Sequence, residues 1–132
     1  MKKFSGLFTV LLLLCVVASV SSAEMASPMY IGIGEINATL TIQSGQATCK
    51  GIVTLNSTSY GADITVTLQK QNGNSWVYVN SWSDSGSILV SANGSVSVAS
   101  GYIYRVRASA TVKDSFGNVV ERGSAYSAQK TY

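Results

Sequence analysis

Histidine is absent from this chain of 132 residues, and cysteine and proline are nearly so, at two and one. Charged residues make up 11%, less than half of the ~25% usual in soluble domains. Each scarcity removes a class of chemistry. Without His there is no Ser–His or Cys–His nucleophile pair and no imidazole ligand for a metal. The six acidic residues stand singly, so no carboxylate pair is marked out for glycoside hydrolysis. Asp63, Asp84 and Asp114 lack the alternating spacing of a calcium loop. No Gly-rich loop follows a strand and opens a helix, as a phosphate cradle requires. The expectation is a protein that is not an enzyme and takes no cofactor and no metal.

What is present begins with an address. Lys2 and Lys3, the largely apolar run from Leu7 to Val20, and Ser21-Ser22-Ala23 form the three parts of a secretory signal peptide, with cleavage between Ala23 and Glu24. The run falls short of the ~20 residues a spanning helix needs. Leu14 stands before Cys15, where lipidation calls for a small residue. The expected organisation is a signal peptide over 1–23, a leader over 24–30 containing Pro28, and one domain over 31–132. Removing 23 of 132 residues leaves 109, with seven basic against six acidic residues and a net charge of +1. Most of the whole-chain charge of +3 therefore belongs to the signal. No Lys/Arg cluster is left to track a phosphate backbone, so no nucleic-acid partner is expected. No sorting signal precedes Tyr132; the expectation is a monomer released outside the cell, with no membrane attachment after cleavage.

Cys49 is the single cysteine beyond the signal, so no disulfide within the mature chain is expected. It shares a face with Ala47, Gly51, Val53 and Leu55 in a period-two pattern, which predicts a buried structural side chain, since free Cys behaves as a small hydrophobe. The same period runs through the domain. Ile36, Ala38, Leu40 and Ile42 alternate with polar residues, as do Ala62, Ile64, Val66 and Leu68, then Val96 and Val98, then Tyr102, Tyr104, Val106, Ala108, Ala110 and Val112. Turn signals separate these runs at Ser44-Gly45, Ser57–Gly61, Gln71-Asn72-Gly73-Asn74, Asn93-Gly94 and Phe116-Gly117-Asn118. About seven strands at this spacing predict an all-β antiparallel sandwich.

Gly101-Tyr102-Ile103-Tyr104-Arg105-Val106-Arg107-Ala108 resembles the penultimate strand of fibronectin type III domains, where a Tyr opens a Tyr-x-Val-Arg-Val-x-Ala pattern. The Asp114–Asn118 turn and Ala125-Tyr126-Ser127 resemble the hairpin that follows. The resemblance implies an Ig-like or fibronectin type III-like sandwich in which a Tyr near the strand start hydrogen-bonds back across the corner. Tyr102 is the first candidate for that role and Tyr104 the second. Ala47-x-Cys49-x-Gly51, Ile64–Lys70, Trp76-x-x-Val79-x-Ser81-Trp82-Ser83 and Gly101-Tyr102-x-Tyr104-Arg105-Val106, in this order, resemble a group of small secreted proteins of Firmicutes with one domain of unassigned function. That resemblance implies export from a Gram-positive bacterium and carries no mechanism.

The aromatic residues are the remaining lead. Trp76, Tyr78 and Trp82 share parity on one short segment, and Val77 and Val79 compete for its inward face. Exposed, the three would form a platform for sugar rings or an anchor for a partner; buried, the Trp side chains would fill a core short of large residues. The parity leaves both readings open, and a bulge would reconcile them. The expected function is a non-catalytic module that binds a protein or the cell surface, acting through a sheet face or edge, with a protein or glycan at the cell surface as its partner. The alternative is a carbohydrate-binding module using Trp76, Tyr78 and Trp82.

Overall fold

The computed structural model describes residues 30–132. The signal peptide expected over 1–23, its cleavage site at Ala23 and Glu24, and leader residues 24–29 lie outside the described residues. The chain forms β1 (Ile33–Gln43), β2 (Gln46–Leu55), β3 (Gly61–Asn72), β4 (Ser75–Ser87), β5 (Leu89–Ser97), β6 (Ile103–Lys113), β7 (Val119–Tyr126) and a short β8 (Lys130–Thr131), with no helix among the described residues. All pairings are antiparallel. One sheet runs β1-β2-β5 and the other β4-β3-β6-β7, with β8 pairing to β6 beyond the end of β7. The expected all-β sandwich of about seven strands is the fold observed.

The alternation builds the core directly. Ala38 and Leu40 of β1, Ala47, Cys49 and Val53 of β2, and Val90 and Ala92 of β5 form one buried cluster with Ile64, Val66 and Leu68 of β3 and Val106, Ala108, Ala110 and Val112 of β6. Successive side chains on a strand point to opposite faces, so each inward residue is followed by an outward one. Val66 pairs with Ala108, and Thr67 with Arg107, on the two sides of the same ladder.

Local backbone chemistry sets the connections. Ser44 (φ 53°) and Gly45 (φ 74°) lie between the paired Gln43 and Gln46. Two central residues at positive φ make a type I′ hairpin, whose twist matches that of the strands it joins. The Asn93-Gly94 turn expected from sequence does not occur. Both residues lie inside β5, paired with Lys50 and Cys49 of β2. A Cβ on Gly94 would overlap Nε1 and Cε2 of Trp82, so the glycine marks the place where an indole from the other sheet lies against the β5 backbone.

The chain changes sheets between β4 and β5 at one residue, Ile88, which takes φ 69°. A β-branched residue in the left-handed region is strained, and the Ile88 carbonyl accepts the Leu55 N–H at 2.7 Å. The start of β1 is held from the opposite sheet. Glu121 of β7 accepts the backbone N–H groups of Ile31, Gly32 and Ile33 at 2.7, 2.9 and 2.9 Å. Asn56 adds a donor to the Ile31 carbonyl at 2.9 Å. Tyr30, at the end of the expected leader, packs against the core.

Candidate functional site

The facing of β4 is decided by one extra residue. Leu68 pairs with Asn80 and Gln69 pairs with Tyr78, so Val79 is left over as a β-bulge. A bulge changes the parity of everything beyond it. Trp82, paired with the buried Val66, packs against the core and covers Gly94. Trp76 and Tyr78, paired with Gln71 and Gln69, lie on the outer face. Of Trp76, Tyr78 and Trp82, which share one parity in the sequence, the structure joins the first two on the outer face and sends the third inward.

A different grouping forms around Arg105. This residue follows the buried Tyr104 on β6 and so points outward, opposite Gln69 of β3. Its guanidinium carbon lies 4.1 Å from the Trp76 ring centre and 4.2 Å from the Tyr126 ring centre. Its Nε donates to Gln69 Oε1 at 2.8 Å. One stack thus spans the four long strands of the sheet: Trp76 from β4, Gln69 from β3, Arg105 from β6 and Tyr126 from β7. Arg107, two residues on, lies opposite Thr67 on one side and Tyr126 on the other. Its Nε is shielded from solvent and has no hydrogen-bond partner. Tyr78 is 65% exposed and its hydroxyl shares a hydrogen bond of 3.2 Å with Ser81.

Magnitudes separate the structural part of this cluster from the rest. Two cation–π contacts contribute about 1 kcal/mol each at partly exposed sites, which accounts for the half-buried Trp76 and for the placement of Arg105 against two rings. It does not account for the exposed Tyr78, nor for a desolvated donor on Arg107, which costs about 1–3 kcal/mol when left bare. Arg105, Arg107, Gln69 and Tyr126 were not visible as site residues in the sequence. Arg105 and Arg107 carry the right parity, but only the register Arg107↔Tyr126 and Gln69↔Arg105 brings the aromatics to them.

The other residues singled out from sequence have structural places. Tyr104 is buried, and its hydroxyl donates to the Ala99 carbonyl at 2.6 Å. This is the corner bond expected first of Tyr102. Tyr102 precedes β6 and is 40% exposed, with Lys70 Nζ 4.2 Å from its ring centre. Both share the inward parity of β6, but only Tyr104 lies within the strand and is buried with Val106 and Ala108, whereas Tyr102 precedes the strand. Cys49 is buried and unpaired in the core. Burial pushes its thiol up to about 11, so at neutral pH it is a packed thiol rather than a thiolate nucleophile.

On the outer face of the other sheet, a shallow depression of about 200 Å³ is lined by Asn37, Thr39, Lys50, Gly51 and Ile52. It lies apart from the aromatic stack, and no aromatic side chain lines it. Among the described residues no three of His, Cys, Asp and Glu converge as metal ligands. Comparison with known protein families and with curated proteins finds no match for the chain.

Proposed function

We propose that the chain is a secreted, non-catalytic binding module of Ig-like or fibronectin type III-like type, which grips a protein at the cell surface with the outer face of its larger sheet. The observation that carries this reading is the Trp76–Arg105–Tyr126 stack, flanked by the exposed Tyr78. Trp, Tyr and Arg are the residue types that dominate interface hot spots, and rigid side chains lose little entropy on docking. Four strands about 4.8 Å apart and about ten residues long give a face on the order of 600 Å². That approaches the ~800 Å² each partner buries in a standard interface. The fibronectin-like assignment draws support from the three-plus-four order of the long strands and from the Tyr104 corner bond. The signal-like segment before Glu24 supports the extracellular location.

Tyr78 is also what favours a second reading, carbohydrate binding, because an exposed ring can stack on a sugar. The structure leaves that reading a smaller platform: Trp82 is turned inward and Arg105 covers one face of Trp76. Fluorescently labelled protein, titrated onto cells of the producing organism, tests the choice. The expected result is saturable binding that disappears after protease shaving of the cells and weakens ~10-fold or more in Tyr78→Ala. Binding that survives shaving and is lost after periodate oxidation replaces the protein reading with the carbohydrate one. Binding indifferent to Tyr78→Ala and Trp76→Ala rules out this face.

A further inference from the structure

Arg105 and Arg107, neighbours on the outer face, form no ion pair among the described residues. Among the described residues the one ion pair is Lys113–Asp63 at 3.0 Å, at the opposite end of the β3–β6 ladder. The other described carboxylates are engaged elsewhere. Glu121 holds the backbone at Ile31–Ile33, and Asp114 accepts the Phe116 and Asn118 N–H groups of its own turn. Asp84 accepts from Ser85, and Glu35, on the other sheet, accepts from Asn37. Arg105 and Arg107 thus stand on one strand face with no acidic neighbour among the described residues, Arg105 set against two rings and Arg107 with a desolvated, unpartnered Nε.

This combination selects a ligand chemistry. A guanidinium presents its N–H groups as a planar fork matched to a carboxylate. Stacking already places Arg105 against two rings, and its Nε is engaged with Gln69, which leaves its terminal nitrogens as donors. Arg107 Nε is closed off from water and so from a ligand, but the terminal nitrogens of Arg107 make no hydrogen bond and are not enclosed, so they are its donors. Residues 105 and 107 are two positions apart on a strand, so their side chains repeat at about 6.6–6.8 Å. Side chains on one face of another extended segment repeat at the same interval. We propose that the partner presents an extended acidic segment, with carboxylates at alternate positions docking on Arg105 and Arg107. This rests on the outer face being a protein-binding surface, and it adds the chemistry that surface recognises.

The test uses a capped synthetic peptide of alternating Glu and Gly, and its Gln–Gly counterpart, titrated into ¹⁵N-labelled protein while the arginine Nε–H signals are followed by NMR. The expected result is a saturable shift of the Arg105 and Arg107 signals with the Glu peptide only, weakening as salt is raised. Arg107→Gln lowers the affinity ~10-fold or more, as expected for losing a charge-assisted donor, while Arg122→Gln, at the far end of the same face, leaves it unchanged. Equal response to both peptides, no response at millimolar peptide, or binding indifferent to Arg107→Gln overturns the inference. The two readings fail differently. Protease-sensitive cell binding that needs Tyr78 but not Arg107 keeps the protein-binding face and discards the acidic segment. Cell binding independent of Tyr78 discards the face itself.

Discussion

The two faces of the larger sheet differ in kind. The inner face is built from small and branched aliphatic side chains: Ile64, Val66 and Leu68 on β3, Val106, Ala108, Ala110 and Val112 on β6. Its large rings sit at the margins, with Tyr104 near one end and Trp82 on the edge strand. The outer face carries Trp76, Tyr78 and Tyr126 around two arginines. Apolar burial drives folding at about 25 cal/mol per Å², and large rings contribute the most area per residue. A chain that leaves such rings on a solvent face therefore forgoes stability there. The inner face explains why the protein folds, and the outer face holds what folding does not require.

Changes to the inner side test that contrast most severely. Gly94→Val places a side chain where the Trp82 indole lies. Overpacking of this kind costs about 3 kcal/mol, to be read as a lower chemical-denaturation midpoint with the slope retained. A smaller loss is expected at the end of the sandwich, where Glu121→Gln gives up the anionic acceptor for three N–H donors; about 2 kcal/mol is expected. Burial alone would raise the Glu121 carboxyl, but the N–H groups of Ile31, Ile33 and Gly32 outweigh it and hold it below the usual carboxylate range. A group whose folded value is depressed stabilises above its unfolded value, roughly pH 4.3, and loses that contribution as pH falls through the folded one. Thermal melts should therefore show the parent chain losing stability on acidification more steeply than Glu121→Gln. Equal acid sensitivity would remove Glu121 from the account.

The third change runs the other way. Ile88→Gly relieves a β-branched residue at φ 69° and should raise stability by about 1 kcal/mol, seen as a higher melting temperature. A fall would show that the exposed Ile88 side chain packs more productively than its backbone suffers. The smallest effect belongs to the outer face: Tyr78→Ala should leave stability within about 0.5 kcal/mol while weakening cell binding. A large stability loss there would make Tyr78 part of the scaffold and erase the contrast.

The strands were legible because alternation is a local property. The patterns around Leu40, Val66 and Val106 each mark a strand and its inward face without reference to any other part of the chain. The Ser44-Gly45 hairpin was legible for the same reason. Three features were not. Asn93-Gly94 has turn chemistry, yet its glycine serves a contact with Trp82 in the other sheet. The Trp76, Tyr78 and Trp82 set has one parity in sequence and two in space, because Val79 has no partner. The arginine stack depends on which residues stand opposite across three ladders, and register between distant strands has no local signature. In each case the deciding atom lies on another strand.

The bulge at Val79 has one more consequence. β4 is the outermost strand of its sheet, and along 13 residues its far side faces no other strand among the described residues. A straight edge of that length is a template on which another copy of the chain could zip and start a fibre. The unpaired residue bends the edge and breaks its row of backbone donors and acceptors, and the Ser81, Ser83, Ser85 and Asp84 side chains beyond it keep the edge hydrated. The residue that sorts the aromatics between two faces also interrupts the edge along which copies of the chain would have to pair.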